Sequence, residues 1–135
     1  MFRNLAIIFC VTLGISAGDI RLHITGFSHP LGDVQIGLYN QAKGFLHTDR
    51  SYKKIIRKAK KSLYCRFKNI PKGTYAIAIF HDVNRNGILD KNFLGIPKEQ
   101  TGTSNNVAVH FGPPSFDKAK FTHNKETKLS IRLQQ

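Results

Sequence analysis

The chain has 135 residues, enough for one domain to bury a core of its own and with nothing to suggest a second. Lys and Arg number 21 against 8 Asp and Glu, a formal charge of +13 that favours anionic partners: lipid, acidic polysaccharide or nucleic acid. Of the 2 cysteines, Cys10 lies in an N-terminal apolar segment and Cys65 stands alone in the remainder, which excludes a disulfide-stapled domain.

Arg3 precedes a run from Leu5 to Ile15 that is apolar except for Thr12 and Gly14, and the small residues Ser16, Ala17 and Gly18 follow. This order is that of a secretory signal, expected over residues 1–17 with the mature domain at 18–135. Cleavage after Ala17 or after Gly18 satisfies the small-residue rule equally. The apolar run of about 11 residues is shorter than the roughly 20 that span a bilayer. Phe9 before Cys10 does not fit a lipoprotein signal. No later apolar stretch is long enough to cross, so no transmembrane segment is expected, and the location is expected to be periplasmic or secreted. Export makes nucleic acid the least plausible of the anionic partners.

From there on, period-two alternation recurs, the pattern of half-buried strands. Ile20, Leu22 and Ile24 alternate with polar residues, as do Val34, Ile36 and Leu38. Between Arg50 and Lys68 lie nine cations, Arg50, Lys53, Lys54, Arg57, Lys58, Lys60, Lys61, Arg66 and Lys68. Within that segment Ile55, Ile56 and Ala59 sit at helical spacing, which predicts a short helix or a mobile basic loop over Tyr52–Lys61. Leu63, Cys65 and Phe67 predict a strand with the thiol on the apolar face, a place for an inert core cysteine rather than a nucleophile. Thr74 to Phe80 is apolar on both faces apart from Thr74, as a central strand would be. Val107, Val109 and Phe111 predict a further strand, Ala119 and Phe121 a short one, and Leu129, Ile131 and Leu133 the last. Turns at Ser28-His29-Pro30, Pro71-Lys72-Gly73, Asn86-Gly87 and Gly112-Pro113-Pro114 separate these runs. The fold class is therefore all-β, a single sandwich of about seven strands.

The segment His81–Asn92, H-D-V-N-R-N-G-I-L-D-K-N, carries the chemistry. Asp82, Asn84, Asn86 and Asp90 occupy positions 1, 3, 5 and 9 of a calcium-loop spacing. Gly87 stands where the sharp turn is needed, and the Ile88 carbonyl would be the backbone ligand. Calcium wants six to eight oxygens, and alternate side chains of such a loop point inward. The bidentate glutamate of a helical EF-hand is missing, because position 12 is Phe93. With only two carboxylates, and Arg85 and Lys91 opposing a cation, affinity is expected at the weak extracellular end, roughly 0.1 to 1 mM. Glu99 would add a third carboxylate if the following loop folds back. The same Asn and Asp residues also form Asx turns, and Asn-Gly a hairpin turn, without any metal.

Three stretches resemble a known family. They are F-K-N-I-P-K-G-T-Y-A-I-A-I-F-H-D-V-N-R-N-G-I-L-D from Phe67 to Asp90, G-I-P-K-E from Gly95 to Glu99, and S-N-N followed by G-P-P-S-F-D-K-A-K-F ending at Phe121. Together they are similar to the DUF2141 family of small secreted bacterial proteins. Family members often carry an aromatic before the Ser-Asn pair, where this chain has Thr103. Pro71, Gly73 and Tyr75 also resemble the turn-into-strand signature of transthyretin-like and carboxypeptidase-regulatory-like sandwiches. The resemblance implies an Ig-like or prealbumin-like sandwich, periplasmic or secreted, and no particular activity.

No G-x-S-x-G elbow, H-E-x-x-H helix or Gly-rich phosphate loop is present, and no enzyme activity is expected. The histidines are expected to be scattered on the surface, and Ser104 and Ser115 to serve turns. Three functions stay open: a non-catalytic binding or accessory domain of the cell envelope, stabilised by calcium; an envelope-associating protein docking residues 50–68 on anionic lipid or polysaccharide; and an enzyme with a divergent site around His81, Asp82 and Glu99. In the first, the loops Asp82–Asp90, Gly95–Glu99 and Asn105–Phe116 would share one end of the sandwich.

Overall fold

Alternation becomes burial in the first strand: Ile20, Leu22 and Ile24 are buried while Arg21 between them is exposed. This strand, β1 (Ala17–Thr25), is the centre of a three-stranded sheet. It runs antiparallel to β4 (Leu63–Pro71) and parallel to β8 (Thr127–Arg132). The second sheet has the order β3 (Lys53–Lys58), β2 (Asp33–Tyr39), β5 (Gly73–Asp82), β6 (Thr101–Thr103). β7 (Phe121–His123) pairs with Gly73–Tyr75 of β5, and β6 with Ala78–Phe80, so two short strands share one edge. The computed structural model describes residues 17–110 and 112–135. The signal predicted over 1–17 lies outside the described residues, apart from Ala17.

The architecture is an all-β sandwich, as the alternation predicts, with eight strands among the described residues. Ile20, Leu22, Ile24, Phe67 and Ile131 of one sheet pack against Val34, Ile36, Leu38, Ile77 and Ile79 of the other. Each such side chain contributes about 1.5–3 kcal/mol by leaving water. From Tyr75 to Asp82 the central strand is buried almost without interruption, which explains its apolar run. The Tyr75 hydroxyl donates to the Pro71 carbonyl at 2.7 Å, and a Cβ on Gly73 would stand 3.3 Å from the Tyr75 ring. The Pro-x-Gly-x-Tyr element is thus a clamp across the step from one sheet to the other.

The structure corrects several of the expectations about these elements. Tyr52–Lys61 holds neither a helix nor a mobile loop: Lys53–Lys58 is a strand that pairs with Asp33–Leu38 of β2. Pairing satisfies backbone groups along that side of β2, and Ile55 packs on the core while Lys53, Lys54, Arg57 and Lys58 stay exposed. Cations on an open edge strand discourage another chain from adding to the sheet. Val107–His110 is irregular rather than a strand, and Phe111 lies outside the described residues. Left-handed Asn105 and Asn106 break the chain there. Asn106 then accepts the Arg132 N–H at 2.8 Å and donates to the Ser130 carbonyl at 3.1 Å, taking the edge that a strand would have used.

Ala119 belongs to a helical turn, α1 (Phe116–Ala119), capped by Ser115, with the strand beginning only at Phe121. Finally, His81 and His123 are fully buried rather than on the surface. His123 uses both ring nitrogens, on Thr127 Oγ1 at 2.8 Å and the Ile70 carbonyl at 3.0 Å. Cys65 packs against the core beside Leu63 and Phe67, on the expected face.

Candidate functional site

β5 ends at Asp82, and the chain does not return to the sheet until Thr101. Connections of more than about 12–15 residues without regular structure are uncommon, and those that are ordered usually carry function. This one is ordered by its own side chains. Asp82, buried at the strand end, accepts the N–H of Asn86 at 3.2 Å and of Gly87 at 2.7 Å. Asn86 Oδ1 accepts the Ile88 N–H at 3.0 Å, an Asx turn. Arg85 and Gly87 take positive φ of 56° and 76°, which winds the chain around the Asp82 carboxylate. Asn86-Gly87 is therefore a bend inside a long loop, not a hairpin between neighbouring strands.

Asp90 closes the ring. Asn84 Nδ2 donates to its Oδ2 at 2.8 Å and Asn86 Nδ2 to its Oδ1 at 2.9 Å. Those two amides, Asn86 first, hold the Asp90 carboxyl below its ordinary value. Glu99 folds back beneath: its Oε2 accepts the Val83 N–H at 2.8 Å and its Oε1 the Asp90 N–H at 3.0 Å. All five residues predicted as ligands, Asp82, Asn84, Asn86, Ile88 and Asp90, lie in this one turn. The Ile88 N–H faces inward onto Asn86 and its side chain faces solvent. An open cleft beside them is lined by Val83, Asn84, Asp90, Lys91, Lys98 and Glu99.

Among the described residues no three His, Cys, Asp or Glu side chains are grouped so as to hold a metal. The calcium set drawn from the sequence takes much of its oxygen from amides and a carbonyl instead. In the geometry seen, the amide nitrogens of Asn84 and Asn86 donate to the Asp90 carboxylate and favour its charged form. Turning each amide about χ2 would present oxygen in their place, as an oxygen-seeking cation requires, and would release the Asn86 and Ile88 N–H groups that the amide oxygens now accept.

Two features were not legible in the sequence. Gln100 Oε1 accepts from the Ser28 N–H at 2.9 Å and hydroxyl at 3.0 Å, and its Nε2 donates to the Gly26 carbonyl at 2.7 Å, tying the β1–β2 loop to this end. His81 Nε2 donates to the Leu31 carbonyl, while its Nδ1 is buried without a partner, its ring 5.2 Å from that of His29. His81 and Asp82 serve different neighbours, as adjacent strand residues must. The Asn105–Phe116 segment divides: Val107 comes beside Gln134, which bridges Thr101 next to Gln100, while Phe116 lies away from this end. Asn106 lies along β8, and Phe116 packs against Phe45, which packs on Tyr39 at the far end of β2. Ser104, expected in a turn, is buried and accepts the Ile77 N–H at 2.9 Å.

Comparison with known proteins places the chain. The family described as an uncharacterized protein conserved in bacteria (DUF2141) matches residues 22–131, and the chain belongs to that family. No curated protein and no solved structure matches it.

Proposed function

We propose that this member of the DUF2141 family is an exported, non-catalytic binding domain whose working surface is the Asp82–Glu99 loop, set by a weakly bound calcium ion. The observation that carries the reading is the convergence of Asn84 and Asn86 on both oxygens of Asp90, with Asp82 winding the same turn. A long loop whose Asp and Asn side chains are gathered at one turn, on a rigid sandwich, supports a binding scaffold rather than a catalytic arrangement. None of its carboxylates is set against a nucleophile, and Glu99 is committed to two backbone amides. The leader-like N-terminus supports an extracellular or periplasmic setting, where calcium is plentiful enough for weak sites.

The test is a thermal melt in chelator and then in rising calcium, with magnesium as control. For a dissociation constant near 0.1 mM, 1 mM calcium adds about 1.4 kcal/mol. That raises the midpoint by several degrees in a domain of this size. An unchanged midpoint removes calcium and leaves the loop as a self-contained Asx scaffold.

A second reading rests on β3, whose Lys53, Lys54, Arg57 and Lys58 form an exposed cationic edge. Docking of that edge on anionic polysaccharide or lipid would weaken steeply as salt rises through physiological strength. Binding indifferent to salt would dismiss it.

A further inference from the structure

The loop carries apolar side chains that the fold does not use. Phe93 is 96% exposed, Leu94 69% and Ile88 67%, with Ile96 also exposed. Burial would stabilise the fold, and these residues forgo it. Yet the turn that presents them is built with care. Asn92 Oδ1 accepts the N–H of Leu94 at 2.9 Å and of Ile96 at 3.0 Å. The Asn92 N–H donates to the Ile96 carbonyl at 2.8 Å, and Gly95 makes the reversal at a φ of 79°. Lys91 bridges to Pro97, so Lys91 and Lys98 flank the base of a small hairpin whose tip is Phe93-Leu94.

Sheet register gathers more of both kinds of residue at the same end. Asp33 pairs with Lys58 on one side and with Asp82 on the other, so the end of β3 is level with the start of the loop. The next turn therefore brings exposed Lys60 and Lys61 to this end. Leu31, also exposed, arrives from the β1–β2 loop, whose Gly32 lies against Val83. The acidic groups here face inward: Asp82, Asp90 and Glu99 are engaged with the loop backbone or its amides, and Asp33 pairs with Arg85 at 3.3 Å. Among the described residues Lys60, Lys61, Lys91 and Lys98 form no salt bridge.

We infer that the Phe93-Leu94 tip is a membrane-surface anchor that enters the headgroup boundary of an anionic phospholipid bilayer, with the surrounding lysines on the lipid phosphates. A projecting apolar point fits a fluid apolar phase without a matching groove. Cations spread around it find an anionic plane on every side. Apolar insertion and electrostatic attraction are the two contributions that together hold a protein at an interface. The inference does not depend on calcium, and it concerns a different surface from the β3 edge.

The chain contains no tryptophan, so Phe93→Trp in the full chain reports on the tip alone. With vesicles of phosphatidylglycerol and phosphatidylcholine, in chelator, its emission shifts to the blue. With phosphatidylcholine alone the apparent affinity is at least tenfold lower. Lys91→Ser with Lys98→Ser in the reporter background weakens binding about 25-fold, near fivefold per lysine. Leu94→Ser weakens it about tenfold or more while the melting midpoint stays where it was, because the side chain is exposed in the free protein. Emission unchanged on anionic vesicles overturns the inference, as does equal binding to neutral vesicles. A blue shift in a Tyr64→Trp control, on the outer face of the other sheet, without one at position 93 overturns it too. A tip that docks on a protein instead gives the first of these results.

Discussion

Glu99 Oε1 accepts the backbone N–H of Asp90 at 3.0 Å, and the apolar hairpin lies between the two residues in sequence. With Oε2 on the Val83 N–H, one carboxylate holds both ends of the calcium-spaced turn. Glu99→Gln keeps one acceptor oxygen and sets an amide NH2 against an N–H donor. It should destabilise the domain by about 1–3 kcal/mol, since hydrogen bonds to a charged group are the stronger kind. Urea unfolding measures the loss, and amide exchange should quicken at Val83 or Asp90. Unaltered stability would mean that the clamp is incidental.

The Asp90 carboxyl titrates below its ordinary value of 3.8 because Asn86, and then Asn84, donate to its charged form. A depressed folded value means that its contribution to stability is complete above the ordinary carboxylate value. It is lost as pH falls through the lower, folded one. Asn86→Ala should move the Asp90 titration, followed by carboxyl carbon NMR, upward toward the unperturbed position. No movement would show that the amides do not set it.

Gly32 and Gly87 both have positive φ, 78° and 76°, yet they should not tolerate change equally. A Cβ on Gly32 would stand 2.6 Å from Val83 Cα, whereas one on Gly87 meets nothing within 4 Å. Gly87→Ala should cost about 1–2 kcal/mol, the left-handed backbone penalty alone. Gly32→Ala should cost clearly more, because backbone must move as well. Equal melting midpoints for the two variants would refute the packing argument.

Desolvation in its half-buried place beside the core pushes the Cys65 thiol up to about 11, with Arg57 opposing weakly. A raised value stabilises the fold fully below the ordinary thiol range and ceases to do so as pH climbs through 11. At pH 8 the folded protein should therefore alkylate far more slowly than the urea-unfolded chain. Equal rates would contradict the burial.

Asp82→Ala should remove the calcium response of the melt almost entirely, because it takes away a charged first ligand. Asn84→Ala, losing a neutral oxygen, should reduce it less. Asp82→Ala will also lower the midpoint in chelator, since Asn86 and Gly87 lose their acceptor. The quantity to compare is thus the shift between chelator and calcium for each variant. Equal shifts in both variants and the parent would separate the turn from any ion.

Much of this protein is decided locally and is therefore legible in its sequence. Ile20, Leu22 and Ile24, or Val34, Ile36 and Leu38, alternate because a strand with one wet face has no other way to bury them. The Asp82–Asp90 turn is legible for the same reason: Asx turns close over two to five residues, so spacing alone foretells them. The family resemblance rests on these same short-range elements.

Tertiary structure decided what depends on a distant competitor. Ile55, Ile56 and Ala59 suit a helix as written, but β2 had an edge to complete, and pairing overrode local spacing. Val107 and Val109 alternate like a strand, but Asn106 occupies the β8 edge first through Ser130 and Arg132. His81 and His123 look like surface histidines until the sheet closes over them. Phe93 and Leu94 read as ordinary apolar residues, and composition cannot distinguish one that packs from one left in water. Burial is a property of what the rest of the chain brings alongside, and nothing local to a residue records it.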